Sequence, residues 1–183
     1  NTVTYVNDFL SEDDIKNIKT FCAGKFEPAK VWSGKVEPDQ KKCDWQWLPF
    51  NEFAFLYEKL EKAIMHVNRT NYNYLISKIQ KVEVMYYTKG GHMAIHTDSS
   101  FNSCVKLSCL MPLCTQGVDY EGGDFLLHDG NRPMTEAKGI HKVEMPKGSL
   151  VILPGYMLHE VTPITSGDRY TMWTGAYSDL PMV

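Results

Sequence analysis

The chain has 183 residues, 43% of them hydrophobic and 22% charged, with 19 basic against 22 acidic residues and a formal charge of −3. These values exclude a fibre, a disordered tail and a collagen-like repeat, and the lack of clustered Lys or Arg argues against a nucleic-acid partner. A domain of this size buries enough surface to fold without a disulfide or structural metal, so any metal is expected to serve chemistry.

Ser11 precedes Glu12, Asp13 and Asp14, a pattern that caps a helix start. Ile15, Ile18, Phe21 and Cys22 then recur at helical spacing up to Gly24. A second helix is expected from about Asn51, with Phe53, Leu56, Leu60, Ala63, Ile64 and Val67 forming one apolar stripe. Between the helices, residues 28–49 carry Trp32, Trp45, Trp47 and several lysines without a sustained period, and read as a loop or hairpin covering a site. From residue 79 the period becomes two. Short β-rich runs at 82–87, 105–110, 125–127, 149–153, 157–161 and 170–177 are separated by Gly, Pro, Asn and Asp clusters.

Strands joined by short turns without intervening helices indicate an antiparallel sandwich or barrel. The expected architecture is mainly β with flanking α, a double-sheet core buttressed by N-terminal helices. It forms a single domain over 1–183, with helical support and a substrate loop over 1–78 and the β core over 79–183. The longest apolar run is Leu150-Val151-Ile152-Leu153, far short of the roughly 18 residues of a membrane span, and no signal-peptide pattern is visible. Cys22, Cys43, Cys104, Cys109 and Cys114 lack C-x-x-C spacing and read as buried or idle thiols. No membrane partner and a cytoplasmic location are therefore expected.

His96-Thr97-Asp98 is the sharpest chemical signal, because residues two apart on a strand share a face. His159, after a glycine-led strand, offers a third ligand, and two histidines with one carboxylate form the facial triad of non-haem Fe(II) oxygenases. Arg169 follows ten positions later, past Thr165-Ser166-Gly167-Asp168, on a strand expected to return beside that of His159. Its planar fork matches a carboxylate bidentately. His92 lacks the glutamate that a zinc-protease helix needs after its first histidine, and His66, His128 and His141 read as surface or loop residues. Gly122-Gly123 reads as a turn, and Trp173 as core.

The motifs Asp8-Phe9-Leu10-Ser11, Tyr87-Thr-Lys-Gly90-Gly91, His96-Thr-Asp98, Tyr120-Glu-Gly-Gly-Asp124, Lys147-Gly-Ser-Leu-Val-Ile-Leu-Pro154, His159-Glu-Val-Thr-Pro163 and Gly167-Asp-Arg169-Tyr together resemble the Fe(II)/2-oxoglutarate dioxygenases, within them the prolyl 4-hydroxylase branch. The resemblance implies a double-stranded β-helix (jelly-roll) fold. It implies iron bound by His96, Asp98 and His159, and 2-oxoglutarate held by Arg169 with help from the Tyr87 hydroxyl, Tyr86 being the competing register. Fe(II), 2-oxoglutarate and O2 would be required, with ascorbate as a reductant. Hydroxylation of a proline in a peptide or protein, as by a procollagen-proline 4-dioxygenase, is the implied activity. A free amino acid or small metabolite is the alternative substrate, and a non-catalytic jelly-roll binding module the alternative of another class. Leu113-Cys114 departs from the family's Leu-Asn, and many members carry lysine where Arg169 stands. Nucleic-acid dealkylases of the superfamily repeat an arginine six residues on, where this chain has Gly175. The oligomeric state stays open.

Overall fold

The structure, a computed structural model, describes residues 3–31, 33–99, 104–128 and 139–179. Trp32, expected in the substrate loop, lies outside the described residues. Helix α1 spans Glu12–Cys22 behind a reciprocal cap in which Asp14 N donates to Ser11 Oγ at 3.1 Å and Ser11 N donates to the Asp14 carboxylate at 2.9 Å. Helix α2 spans Ala54–Val67 and buries Leu56, Leu60, Ile64 and Val67. It begins later than Asn51 because residues 50–53 form a turn, and Phe53 at the N-cap has no side-chain acceptor for the first free N–H groups. A π-helical turn, Asn68–Tyr72, extends it. Leu60 and Ile64 have no exposed surface, and each such burial is worth about 2 kcal/mol.

Among the described residues, fifteen strands follow one another as β1 (Thr4–Val6), β2 (Glu27–Pro28), β3 (Lys41–Lys42), β4 (Asp44–Trp47), β5 (Lys78–Ile79), β6 (Glu83–Tyr87), β7 (His92–His96), β8 (Val105–Pro112), β9 (Tyr120–Gly122), β10 (Phe125–His128), β11 (Ile140–Val143), β12 (Leu150–Pro154), β13 (Leu158–Val161), β14 (Ile164–Gly167) and β15 (Arg169–Tyr177). The major sheet has the order β1-β12-β8-β15-β6-β4-β2, with β5 also paired to β15; the minor sheet has the order β11-β10-β13-β7-β3, and β14 pairs with β9 alone. The alternation along the strands sorts two cores. Val84, Leu107, Cys109, Met111, Ile152 and Met172 face α1 and α2, whereas Met85, Tyr87, Leu110, Val151 and Leu153 of the major sheet meet Phe125, Leu127 and Val161 of the minor one. The expected mainly β, helix-buttressed double-sheet core is the observed one, and the inner layer is where functional side chains can converge.

Three local expectations are corrected. Residues 28–49 are more than a covering loop, since β3 joins the minor sheet at β7 and β4 joins the major sheet at β6, with Trp45 opposite Met85 and Trp47 opposite Glu83. The Asp-Trp-Gln-Trp alternation is too short to stand out from its lysine-rich surroundings. With β1, β2 and β5, these strands mean that residues 1–78 build part of the β core besides supporting it. Asp98 is not on a strand with His96: β7 ends at His96, and the Asp98 N–H turns away to the Gly155 carbonyl at 3.0 Å. Finally, β15 does not return beside β13. The segment expected as a turn is strand β14, which diverts the chain to β9, so Arg169 enters the opposite sheet beside Tyr87.

Candidate active site

His96 and His159 are register partners on β7 and β13, so the two imidazoles leave neighbouring strands side by side with ring centroids 4.3 Å apart. Asp98 Oδ1 lies 3.4 Å from His96 Nε2, and Asp98 Oδ2 lies 3.6 Å from His159 Nε2. The three prospective ligand atoms fall within 4.8 Å of one another. Each histidine has Nδ1 at 2.8 Å from a carbonyl two residues back, Ala94 O for His96 and Met157 O for His159. A carbonyl only accepts, so Nδ1 carries the proton in both rings and a neutral ring turns the Nε2 lone pair toward the gap. Phe125 stacks on His159 at 5.1 Å and fixes that ring from behind.

Burial opposes the Asp98 charge, but His159, the His96 hydrogen bond and charge, and the Ser108 hydroxyl outweigh it, holding the carboxyl well below its usual range. Burial pushes His159 down, while Asp98 overrides the same effect at His96 and carries it up. The cluster is thus one carboxylate between two imidazoles, a donor set suited to a divalent transition metal. Sequence reading missed two of its members. Ser108 Oγ donates to Asp98 Oδ2 at 2.5 Å, and Trp173 Nε1, expected to be core, donates to Asp98 Oδ2 at 3.2 Å and to Ser108 Oγ at 2.8 Å. The available signal was the hydroxyl of Ser108 in the middle of the fully buried strand β8.

Arg169 is 2% exposed, packs its guanidinium over the Tyr87 ring at 4.9 Å, and leaves Nη1 buried with no hydrogen-bond partner. No ion pair among the described residues includes it. A buried, unpaired cation costs several kcal/mol, so its counter-charge is to come from a ligand, and a planar carboxylate matches the fork. Tyr87 is fully buried on the same face, its hydroxyl meeting the Met85 thioether at 3.4 Å and the Cys43 thiol, weak sulfur partners that a carboxylate oxygen can replace. Burial pushes the Tyr87 phenol well up, keeping it a donor. Tyr86 points the other way and stacks on Tyr170 at 4.6 Å. Gly123, at φ +63°, lies where an added Cβ would sit 3.3 Å from Arg169 Cδ, so the guanidinium stem runs against bare backbone.

Glu83, on the same inner face, pairs with Lys41 of β3 at 2.6 Å, and the Lys41 ammonium lies 4.9 Å from the Trp45 ring centroid. The other histidines stay apart from the cluster. His92 contacts the Gly90 and Asp39 carbonyls, and His66 and His141 are exposed. His128, expected on the surface, is a half-buried β10 residue paired with Glu160 at 2.8 Å. All five cysteines are free. No described helix is long and apolar enough to cross a membrane.

Comparison with known proteins agrees with this geometry. A PKHD-type hydroxylase of Pseudomonas paraeruginosa is 33% identical over 98 residues, 48% of this chain and 40% of that protein, so the chain spans less than half the length of such a relative. A second, of Idiomarina loihiensis, is 24% identical over 179 residues, 93% of this chain and 75% of the relative. Among solved structures, a prolyl-4-hydroxylase of Pseudomonas putida shares the fold with TM-score 0.77 at 18% identity, covering 97% of this chain and 93% of its own. A prolyl hydroxylase of Trichoplax adhaerens, solved with a hypoxia inducible factor oxygen degradation domain peptide, gives 0.79 at 18% identity, covering 97% and 84%. The profile of the 2OG-Fe(II) oxygenase superfamily matches residues 82–175, from the strand that bears Tyr87 through the triad to Gly175. The chain belongs to the 2OG-Fe(II) oxygenase superfamily, whose members imply Fe(II), 2-oxoglutarate and O2.

Proposed function

We propose that this chain hydroxylates an aliphatic C–H bond of a peptidyl proline at the expense of 2-oxoglutarate and O2. The observation that carries the reading is the pairing of the His96, Asp98 and His159 cluster with the orphaned, buried Nη1 of Arg169. In this reading His96, Asp98 and His159 hold Fe(II), and Arg169 with Tyr87 holds the far carboxylate of 2-oxoglutarate. Bound iron supplies O2 activation coupled to decarboxylation of the 2-oxo acid, giving succinate and the oxidising power for the C–H bond. The two neutral imidazoles and one carboxylate keep the centre near neutral and leave positions for the co-substrate and O2. Apolar walls from Phe125, Leu127, Val151 and Leu153 keep water from the inner layer.

Peptidyl proline as the substrate draws support from the prolyl hydroxylase neighbours, and hydroxylation itself from the PKHD-type hydroxylase relatives. One observation favours a second reading, hydroxylation of a free amino acid. The buried Lys41 and Glu83 pair offers an ammonium and a carboxylate together, which complement a zwitterion and have no counterpart in a neutral peptidyl proline. The test is incubation with Fe(II), 2-oxoglutarate and either proline-containing peptides or free amino acids, reading products as a gain of one oxygen by mass. Oxygen gain in peptides supports the first reading, gain only in free amino acids replaces it with the second, and succinate without either product overturns both. Omitting ascorbate from the same assay shows whether it sustains turnover.

A further inference from the structure

We propose that Ser108 and Trp173 are positioning residues that fix the Asp98 carboxylate, through its Oδ2, in the gap between His96 and His159 where it is to bind the metal. The inference rests on the iron assignment above and deepens it. An indole N–H can only donate, so where Trp173 Nε1 meets Ser108 Oγ at 2.8 Å the hydroxyl oxygen accepts. The serine proton is then directed to its other neighbour, Asp98 Oδ2, at 2.5 Å. Trp173 Nε1 adds a second, longer bond to that same oxygen at 3.2 Å. Two donors from adjacent strands thus converge on Oδ2, and the carboxylate so held presents Oδ1 to His96 Nε2 at 3.4 Å and Oδ2 to His159 Nε2 at 3.6 Å. Donors in such a chain polarise one another, so the Trp173 to Ser108 to Asp98 sequence orients the carboxylate more firmly than either contact alone.

The consequence is chemical. A carboxylate held in place before a metal arrives would offer its charge to the gap between the two imidazoles with no freedom left to lose on binding. The arrangement also explains Gly175, the register partner of Ser108 on β15. A Cβ there would lie 3.3 Å from Trp173 Cη2 and 3.3 Å from Val105 Cγ1, pressing on the indole that must lean over Ser108. Ser108 is fully buried, so its hydroxyl needs a partner in any account. A merely structural bond, however, would change the melting temperature and leave the metal's affinity and spectrum alone.

The experiment compares wild type with Trp173→Phe, which keeps the ring and removes the donor, and with Ser108→Ala. Mn(II) binding is titrated by electron paramagnetic resonance without co-substrate, and the visible charge-transfer band of Fe(II) with 2-oxoglutarate is recorded anaerobically. The expected result is a rise in the Mn(II) dissociation constant of about tenfold or more and a displaced band maximum in each variant. Trp173→Phe decides the matter if Ser108→Ala does not fold. Unchanged Mn(II) affinity and an unmoved band in folded Trp173→Phe, even with a lowered melting temperature, overturn the positioning role alone. A wild-type protein that shows neither Mn(II) binding nor the band overturns the iron reading, and this inference with it.

Discussion

Arg169 and Tyr87 stand opposite each other as the first register pair of β15 and the last residue of β6, with the guanidinium over the phenol ring at 4.9 Å. Both side chains are buried in the inner layer. Because Nη1 has no partner there, replacing the fork by a single ammonium tests what it is for. Arg169→Lys keeps the charge and loses one of two parallel bonds, on the order of 1.4 kcal/mol, so the 2-oxoglutarate concentration for half-maximal succinate formation is expected to rise roughly tenfold. An unchanged requirement would count against Arg169 as the carboxylate clamp.

His96→Ala removes one imidazole from a cluster whose remaining ligand atoms come from His159 and Asp98. Succinate formation and the anaerobic charge-transfer band are both expected to vanish, while the thermal melt stays close to wild type because His96 is only half-buried. Full activity in this variant would remove the basis of the iron assignment.

Glu83 gives a pH-dependent prediction. Burial pushes its carboxyl up, offset in part by Lys41, so the native state holds this proton more tightly than the unfolded chain does. In the window between the ordinary carboxylate value and the raised one, the unfolded chain therefore binds fewer protons, and stability falls as pH rises. Lys41→Met removes the opposing ammonium and widens that window. Denaturant melts are expected to show a loss of about 3–5 kcal/mol at pH 8, shrinking as pH is lowered toward 5, with Lys41→Met/Glu83→Gln recovering most of it. A deficit independent of pH would show that packing of the lysine stem, not the charge, is what matters.

Gly123→Ala places a methyl 2.4 Å from Ile164 Cδ1 and 3.3 Å from Arg169 Cδ on a backbone at φ +63°. Strain and overpacking together are expected to cost about 1–3 kcal/mol, read as a lower melting temperature. The displaced Arg169 stem is expected to raise the 2-oxoglutarate requirement in the same variant. A stability loss with an unaltered requirement would show that Arg169 takes up the shift elsewhere along its stem.

How far the sequence could be read depends on whether the information was local. The α1 cap, the α2 stripe and the major strands all declare themselves within a few residues, through side-chain acceptors and through periods of 3.6 and 2. The convergence of His96, Asp98 and His159 was legible because His96 and Asp98 stand two apart and His159 follows a glycine-led strand, where a third ligand can be delivered. Ser108 and Trp173 were not, since one is an ordinary buried serine and the other an ordinary core aromatic until β8 and β15 pair and bring both to Asp98. The path of Arg169 was misjudged for a similar reason. A Gly-Asp step reads as a simple hairpin turn, and only the pairing of β14 with β9 shows that the chain crosses to the other sheet.

The strands β3 and β4 carry one more consequence. The chain leaves the minor sheet at Lys42 and enters the major sheet at Asp44, so Cys43 alone spans the gap between the layers at that edge. A one-residue crossing is a stitch, and the Lys41 to Glu83 ion pair draws the same seam together. The two sheets cannot part there like the covers of a book without breaking both ladders. The spacing between β7, which bears His96, and β6, which bears Tyr87, is therefore set along that edge by the chain itself, so the two halves of the site keep one register to each other.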